Sequence, residues 1–234
     1  MPDQGQYTMG LNNFVNTLWQ QALISYPALS LGMRLLNGST QAGYMYLGPV
    51  NTSAIVGNTT NSITNWTVTV NTGEWALTLV NMCIMSSLPG QTYGLGYNGY
   101  MTIATNSQYS VLPDLIFVAL LNLTGIVDAI ETTTYGELSV ASVLGCSFAF
   151  GNFEDNASFP NISFYFNNFT TRPFNVTPSQ YLIRGPSDTC YFAFAGSLTV
   201  PPNGSAYTFG TYILNGTYTL FDYMNEIFGV APLV

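Results

Sequence analysis

Few groups in this chain have the chemistry to move a proton, attack a carbon or hold a metal. They are eleven carboxylates, three cysteines and three arginines, with neither a lysine nor a histidine. A phosphate-binding loop therefore lacks its lysine, a Schiff base lacks its amine, and Ser-His or Cys-His catalysis lacks its base. Zinc or haem held by histidine is excluded on the same ground. Arg34, Arg172 and Arg184 are too few to neutralise a run of phosphates, so direct nucleic-acid binding is not expected. Cys83, Cys146 and Cys190 are odd in number, show no C-x-x-C spacing and sit in apolar neighbourhoods. That pattern leaves buried free thiols, or one disulfide with one thiol over. Gly94 to Gly99 spells G-x-G-x-x-G, but strand-like text follows where a dinucleotide fold needs a helix, so it is a loop. Glu154 and Asp155 between Asn152 and Asn156 lack calcium-loop spacing and describe a solvated loop. Two carboxylates could run glycoside hydrolysis, yet eleven scattered acids single out no pair. The expectation is no enzyme, with no catalytic, cofactor-binding or metal-binding residue.

Asparagine carries the other readable chemistry. N-x-[ST] occurs at Asn37, Asn51, Asn58, Asn65, Asn122, Asn156, Asn161, Asn168, Asn175, Asn203 and Asn215. With 22 Asn and 45 Ser plus Thr in 234 residues, chance predicts about four such sites rather than eleven. Asn175 is doubtful because Pro178 follows its threonine, and Asn122 lies in an apolar stretch that reads as core. The other nine are expected as glycan acceptors on the outer surface.

The charge pattern is as unusual as the missing cations. Charged residues are 6% of the chain and the net charge is −8, so little ionisation is at stake between pH 3 and pH 7. The fold should be indifferent to acid, which suits an acidic extracellular habitat. Residues 35–113 hold one charged residue, Glu74. Edge strands are usually guarded by lysine, and a chain with none points to edges that are covered, hence to assembly with copies of itself. Residues 1–20 show no basic or apolar leader, so no signal peptide is expected there, and the most apolar run, Leu115–Val127, is too short to span a bilayer.

The elements that would position these groups are mostly strands. Leu11, Phe14, Val15, Leu18, Trp19 and Ala22 predict an amphipathic helix over roughly 10–25. Leu220, Tyr223, Met224, Ile227 and Phe228 predict a second near the C-terminus. Three hairpins are expected: Thr67–Val70 with Glu74–Val80, Ser197–Val200 with Ala206–Phe209, and Tyr212–Leu214 with Thr217–Leu220 around Asn215-Gly216. Further strands are expected at Gly43–Leu47, Tyr100–Thr105, Leu138–Phe150, Ile162–Phe166, Tyr181–Ile183 and Tyr191–Ala195. Many short strands with Gly, Pro and Asn between them predict an all-β fold, a single β-sandwich or jelly roll over 1–234 with short amphipathic helices near both termini. Residues 1–30 and 219–234 are then docking segments.

A lysine-free, Asn/Thr/Tyr-rich, sequon-rich sandwich of this kind, with stretches such as Ser197–Phe209, resembles jelly-roll coat proteins of icosahedral viruses of hyperthermophilic, acidophilic archaea. The resemblance implies a structural capsid protein tiling a virion shell, with copies of itself and other coat or surface proteins as partners, no nucleic-acid contact, no membrane span and no cofactor. It is similar also to subunits of secreted archaeal filaments assembled by donor-strand complementation. A sugar-binding adhesin is a third alternative, on the Tyr- and Phe-dense stretch 148–228.

Overall fold

The computed structural model describes residues 10–34, 43–68, 75–85, 92–94, 99–124, 131–135, 138–144, 159–167, 172–184, 189–197, 199 and 207–234. In chain order the first elements are α1 (Gly10–Gln20), β1 (Ala28–Met33), β2 (Gly43–Leu47), β3 (Thr64–Thr67), β4 (Ala76–Met85), β5 (Thr92–Gly94), β6 (Gly99–Ile103) and β7 (Ser110–Pro113). They continue with α2 (Asp114–Thr124), β8 (Glu131–Tyr135), β9 (Leu138–Leu144), β10 (Asn161–Phe166) and β11 (Phe174–Val176). The last are α3 (Pro178–Tyr181), β12 (Leu182–Arg184), β13 (Thr189–Ser197), β14 (Tyr207–Phe209), β15 (Thr217–Asp222) and β16 (Ile227–Pro232). The chain divides into two compact units, Met1–Leu77 with Leu214–Val234, and Thr78–Ile213.

In the first unit an antiparallel sheet runs in the order β2-β1-β15-β16-β3. Its core gathers Ala28, Ile55, Ile63, Tyr218, Leu220 and Ala231. Tyr218 is fully buried, and its hydroxyl donates to Ser30 Oγ at 2.7 Å while accepting from Asn51 N–H at 3.0 Å, so the ring is buried without stranding its polar atom. The α1 helix ends by a left-handed Ala22 (φ 56°), with Leu23 N–H bonded to Leu18 O and Ala22 N–H to Trp19 O. Those two bonds close the last turn as a glycine ordinarily would.

The C-terminal segment is a hairpin and not an amphipathic helix. Asp222 closes it: its carboxylate accepts from Met224 N–H and Asn225 N–H, both at 3.0 Å, from Asn225 Nδ2 at 2.8 Å and from the Tyr26 hydroxyl at 2.9 Å. Glu226 takes the left-handed conformation (φ 53°) that the tight return requires. The apolar residues that seemed to share a helix stripe are strand residues: Leu220 faces Gly229, and Phe221 faces Phe228 across the pair.

The second unit is an eleven-stranded sheet in the order β11-β10-β4-β6-β14-β7-β13-β9-β8, with β12 beside β13 and β5 beside β4. Two of its pairs are parallel, β14 with β6 and β13 with β7. A jelly roll is two packed antiparallel sheets, so the expected single sandwich is corrected to a mixed-sheet, mostly β architecture. Among the described residues none of the three expected hairpins forms as such; residues 69–74, 198 and 200–206 of the first two lie outside those residues. β3 pairs with β16 rather than with β4, β14 joins β6 and β7 rather than β13, and Tyr212–Leu214 is a turn. Each failure has one cause: local turn signals were given neighbouring partners, whereas the real partners lie far along the chain. The apolar run at 115 is helical, as α2. The unit's core is aromatic, with Phe164, Phe166, Phe192, Phe194 and Phe209 fully buried and Phe164 meeting Phe209 edge-on at 4.9 Å.

Burial sets the alkaline limit of the fold. The Tyr223 hydroxyl is pushed up to about 12 by desolvation, and burial raises Tyr181 further still. A tyrosine harder to ionise when folded contributes stability that is complete below pH 10 and is lost as pH rises past it. Circular dichroism should therefore show unfolding beginning between pH 10 and 12, together with tyrosinate absorbance. Asp222→Ala removes the acceptor of four donors and should cost about 2–4 kcal/mol in urea unfolding; a loss under about 0.5 kcal/mol would mean the turn holds without it.

Candidate functional site

The second unit splits its sheet at the centre. β6 and β7 are consecutive in sequence, yet β14 lies between them, parallel to β6 and antiparallel to β7. Their connection, residues 104–109, must therefore pass over the end of β14. Ala104 N–H donates to Phe209 O at 2.9 Å, Thr211 N–H to Ser107 O at 2.8 Å and Tyr212 N–H to Gln108 O at 3.1 Å. The buried Ser110 hydroxyl accepts from Gly210 N–H at 3.0 Å. Within the loop, Ser107 Oγ donates to Tyr109 O at 2.8 Å. The ring of Tyr109 meets Tyr212 edge-on at 5.3 Å, and burial with the neighbouring Tyr191 raises the Tyr212 hydroxyl above its ordinary value.

Gly210 is the position that lets this crossing happen. A Cβ built there would stand 2.3 Å from Tyr109 O and 2.6 Å from Gln108 O, both backbone atoms that have no rotamer to retreat into. The carboxyl ends of two parallel strands, β6 and β14, thus open onto a fixed loop whose Thr105, Asn106 and Gln108 are exposed. In open sheets such carboxyl ends beside a break in strand order are where ligands sit. What the loop offers is hydroxyl, amide and backbone groups, suited to bonding an extended peptide, and no acid or base. Sequence inspection missed it, because Ala104–Tyr109 has no motif and its importance lies in which strand passes beneath it.

The other chemistry-bearing groups are dispersed. Asp114 opens α2, half-exposed, and its Oδ1 would be 2.6 Å from a Cβ on Gly196. It is the one carboxylate with a described side chain in residues 78–213. Asp222 is engaged in its turn, and Glu226 sits in the same turn. Among the described residues no cluster of three His, Cys, Asp or Glu exists to hold a metal. Cys190 is disulfide-bonded, whereas Cys83 is a free thiol, buried and pushed up by that burial, which makes it unreactive. The outcome is one disulfide with one thiol over; Cys146 lies outside the described residues, as do Glu154 and Asp155. Gly94 ends β5 and Gly99 opens β6, so a strand and not a helix directly follows Gly99.

Of the expected glycan acceptors, Asn37, Asn156, Asn168 and Asn203 lie outside the described residues. Asn58, Asn65 and Asn161 are exposed, while Asn51 and Asn215 are half-buried. Asn51 Oδ1 accepts from Ser53 N–H and from Ser53 Oγ, capping a short 3-10 helix. Asn175 is exposed and accepts from the buried Ser163 hydroxyl at 2.7 Å. Asn122, expected in the core, is exposed on α2.

If the crossing depends on Gly210, then Gly210→Ala should lower stability by about 2 kcal/mol or more in denaturant unfolding. Gly216→Ala, with open space around it but φ +74°, should cost only the smaller left-handed penalty of about 1 kcal/mol.

Comparison with known proteins supplies what motifs did not. The family model described as eukaryotic aspartyl protease matches residues 4–233. Cathepsin E-A of Xenopus laevis is 23% identical over 218 residues, covering 92% of this chain and 47% of its own length. Pepsin A of Sus scrofa is 24% identical over 224 residues, covering 96% and 50%. The crystal structure of aspartic proteinase from Irpex lacteus superposes with a TM-score of 0.67 at 16% identity, over 94% of this chain and 60% of that one. The chain spans about half the length of the curated relatives it matches. These findings overturn the likeness to viral coat proteins, the capsid, filament and adhesin functions, the virion or filament location and the expectation of no enzyme. The coat-protein likeness rested on composition, which reports a low-charge surface and not a topology. The mixed sheets are those of the pepsin-like fold, and the chain belongs to the eukaryotic aspartyl protease family.

Proposed function

We propose that this chain forms part of an aspartic endopeptidase that hydrolyses peptide bonds in acid. The observation that carries the proposal is the family match, which runs over nearly the whole chain. The composition supports it in a way that reverses its first meaning. A chain without histidine or lysine has no Ser-His, Cys-His or lysine-based route to an amide. Carboxylates remain, and two of them sharing one proton suffice: the ionised one takes a proton from water as it attacks the carbonyl carbon, and the protonated one gives a proton to the oxygen or the leaving nitrogen. Such a pair works only while it keeps its shared proton, since two touching carboxylates cannot both ionise and one is held above the usual carboxylate range. A chain with only eleven acids has few ion pairs to lose when they protonate in acid.

Within the chain, the crossover loop at 104–109 is the surface we assign to the polypeptide, because its exposed amide and hydroxyl groups bond backbone without charge. Asp222 is excluded from the chemistry by the donors that fill its oxygens. The Cys190 disulfide supports work in an oxidising compartment.

The test is incubation of the purified chain with an unfolded protein substrate from pH 2 to pH 7, fragments being read by mass spectrometry. The expected result is cleavage that falls away above pH 5 and is blocked by a peptide carrying a hydroxyl isostere of the tetrahedral intermediate. Absence of fragments at every pH overturns the hydrolase assignment, whether or not the isostere binds.

A further inference from the structure

The turn at the head of the crossover loop is closed by Ser107 N–H, which donates to Ala104 O at 3.1 Å. Its two central residues, Thr105 and Asn106, are both exposed, and Gln108 is exposed beyond them. The backbone that carries them is fastened on both flanks: Ala104 N–H donates to Phe209 O, and the carbonyls of Ser107 and Gln108 accept from Thr211 and Tyr212. One hydroxyl and two primary amides are thus presented from a loop whose position is already set. A primary amide offers two donors and an acceptor, the set that complements the N–H and C=O groups of an extended peptide. Neither a hydroxyl nor an amide changes charge in acid.

The surroundings of the loop are as neutral as the loop itself. Residues 99–113, 189–197 and 201–213 make β6, the loop, β7, β13 and β14 with the turn after it, and they contain no Asp, Glu, Lys or Arg. Their titratable side chains are Tyr100, Tyr109, Tyr191, Tyr207 and Tyr212, with Cys190 held in a disulfide. A phenol stays neutral well past pH 7, and burial raises Tyr212 further. On the other side of β6, β4 adds only Cys83, whose thiol burial pushes up. Charged residues begin where these segments end. Asp114 follows the far end of β7, about 13 Å from the loop for four residues of strand. Arg184, opposite Cys190 in the ladder of β12 and β13, keeps its charge at every pH. Asp188 precedes β13, outside the described residues.

We infer that the loop at 104–109 is a holding site: it binds an extended polypeptide through neutral side chains, as firmly at pH 7 as at pH 3, and takes no part in the proton transfers of cleavage. The inference rests on the assignment of this loop to the polypeptide, and it puts the reacting carboxylates elsewhere in the endopeptidase. Binding then outlasts activity, so that in neutral surroundings the site keeps a peptide uncut.

The experiment measures binding of a short acetylated and amidated peptide of uncharged residues, bearing a neutral fluorophore, to the full chain at pH 3 and pH 7. Anisotropy is read within seconds of mixing, before turnover, and only the protein can titrate. The two Kd values are expected to agree within about threefold, because a single carboxylate coupled by one pKa unit would separate them about tenfold. A larger difference overturns the charge-free site, and absence of binding at both pH values overturns the loop's assignment. Asn106→Ala combined with Gln108→Ala should weaken binding about fivefold or more at unchanged circular dichroism, through the loss of two neutral hydrogen bonds. Unchanged affinity in that variant puts the peptide elsewhere and overturns the inference. Asn106→Asp, which places one titratable group on the turn, should make the two Kd values differ by more than about threefold; values that still agree overturn it as well. Binding at both pH values with no fragments at any pH supports the holding site while overturning the hydrolase assignment, so the two failures are told apart.

Discussion

Everything in the second unit depends on one close approach, that of the backbone at Gly210 beneath the carbonyls of Gln108 and Tyr109. With no side chain at 210, β14 can lie between β6 and β7, and their connecting loop is forced across its end. The split sheet, the parallel pair of β6 with β14 and the fixed position of residues 104–109 all follow from that one contact. The aromatic core completes it from below, since Phe209 immediately before the glycine packs against Phe164, Phe166 and Phe174. A rigid loop over a filled core keeps polar groups in place without salt bridges, which suits a chain with so few charges to spend.

What the sequence made legible was local. β2 falls on Gly43–Leu47, the expected residues, and β10, β12, β13 and the helix beginning at Gly10 lie within a residue or two of their expected starts. Those segments carry their own signals, in alternation or in apolar spacing. Partnership carries no such signal. Thr67 and Ala76 looked like two arms of a hairpin, yet β3 belongs to the five-stranded sheet and β4 pairs with β10. Phe221 and Phe228 satisfy a helical period by accident, because a six-residue strand, a four-residue turn and a return strand place them opposite one another.

The chemistry shows a different failure. Absence of histidine and lysine excludes named mechanisms, and the step from there to no mechanism at all does not follow. Carboxylates need no partner of another type to pass protons, since environment alone can hold one ionised and its neighbour neutral. Eleven acids leave carboxylate chemistry open even though no pair stands out in the linear sequence. Residues brought together by folding leave no mark on spacing.

The insertion of β14 also decides the order in which the unit can be finished. Gly210 bonds to Ser110, 100 residues earlier in the chain, and Tyr218 bonds to Ser30 across 188. During synthesis β6 and β7 must wait, side by side in sequence but with their facing backbone groups unpaired, until residues 207–209 emerge. Pairings of such long range fold slowly, because the loop must be closed before any contact rewards it. The same glycine that fixes the finished site therefore leaves the nascent chain with an open seam through the middle of its largest sheet, available to chaperones and to neighbouring nascent chains alike.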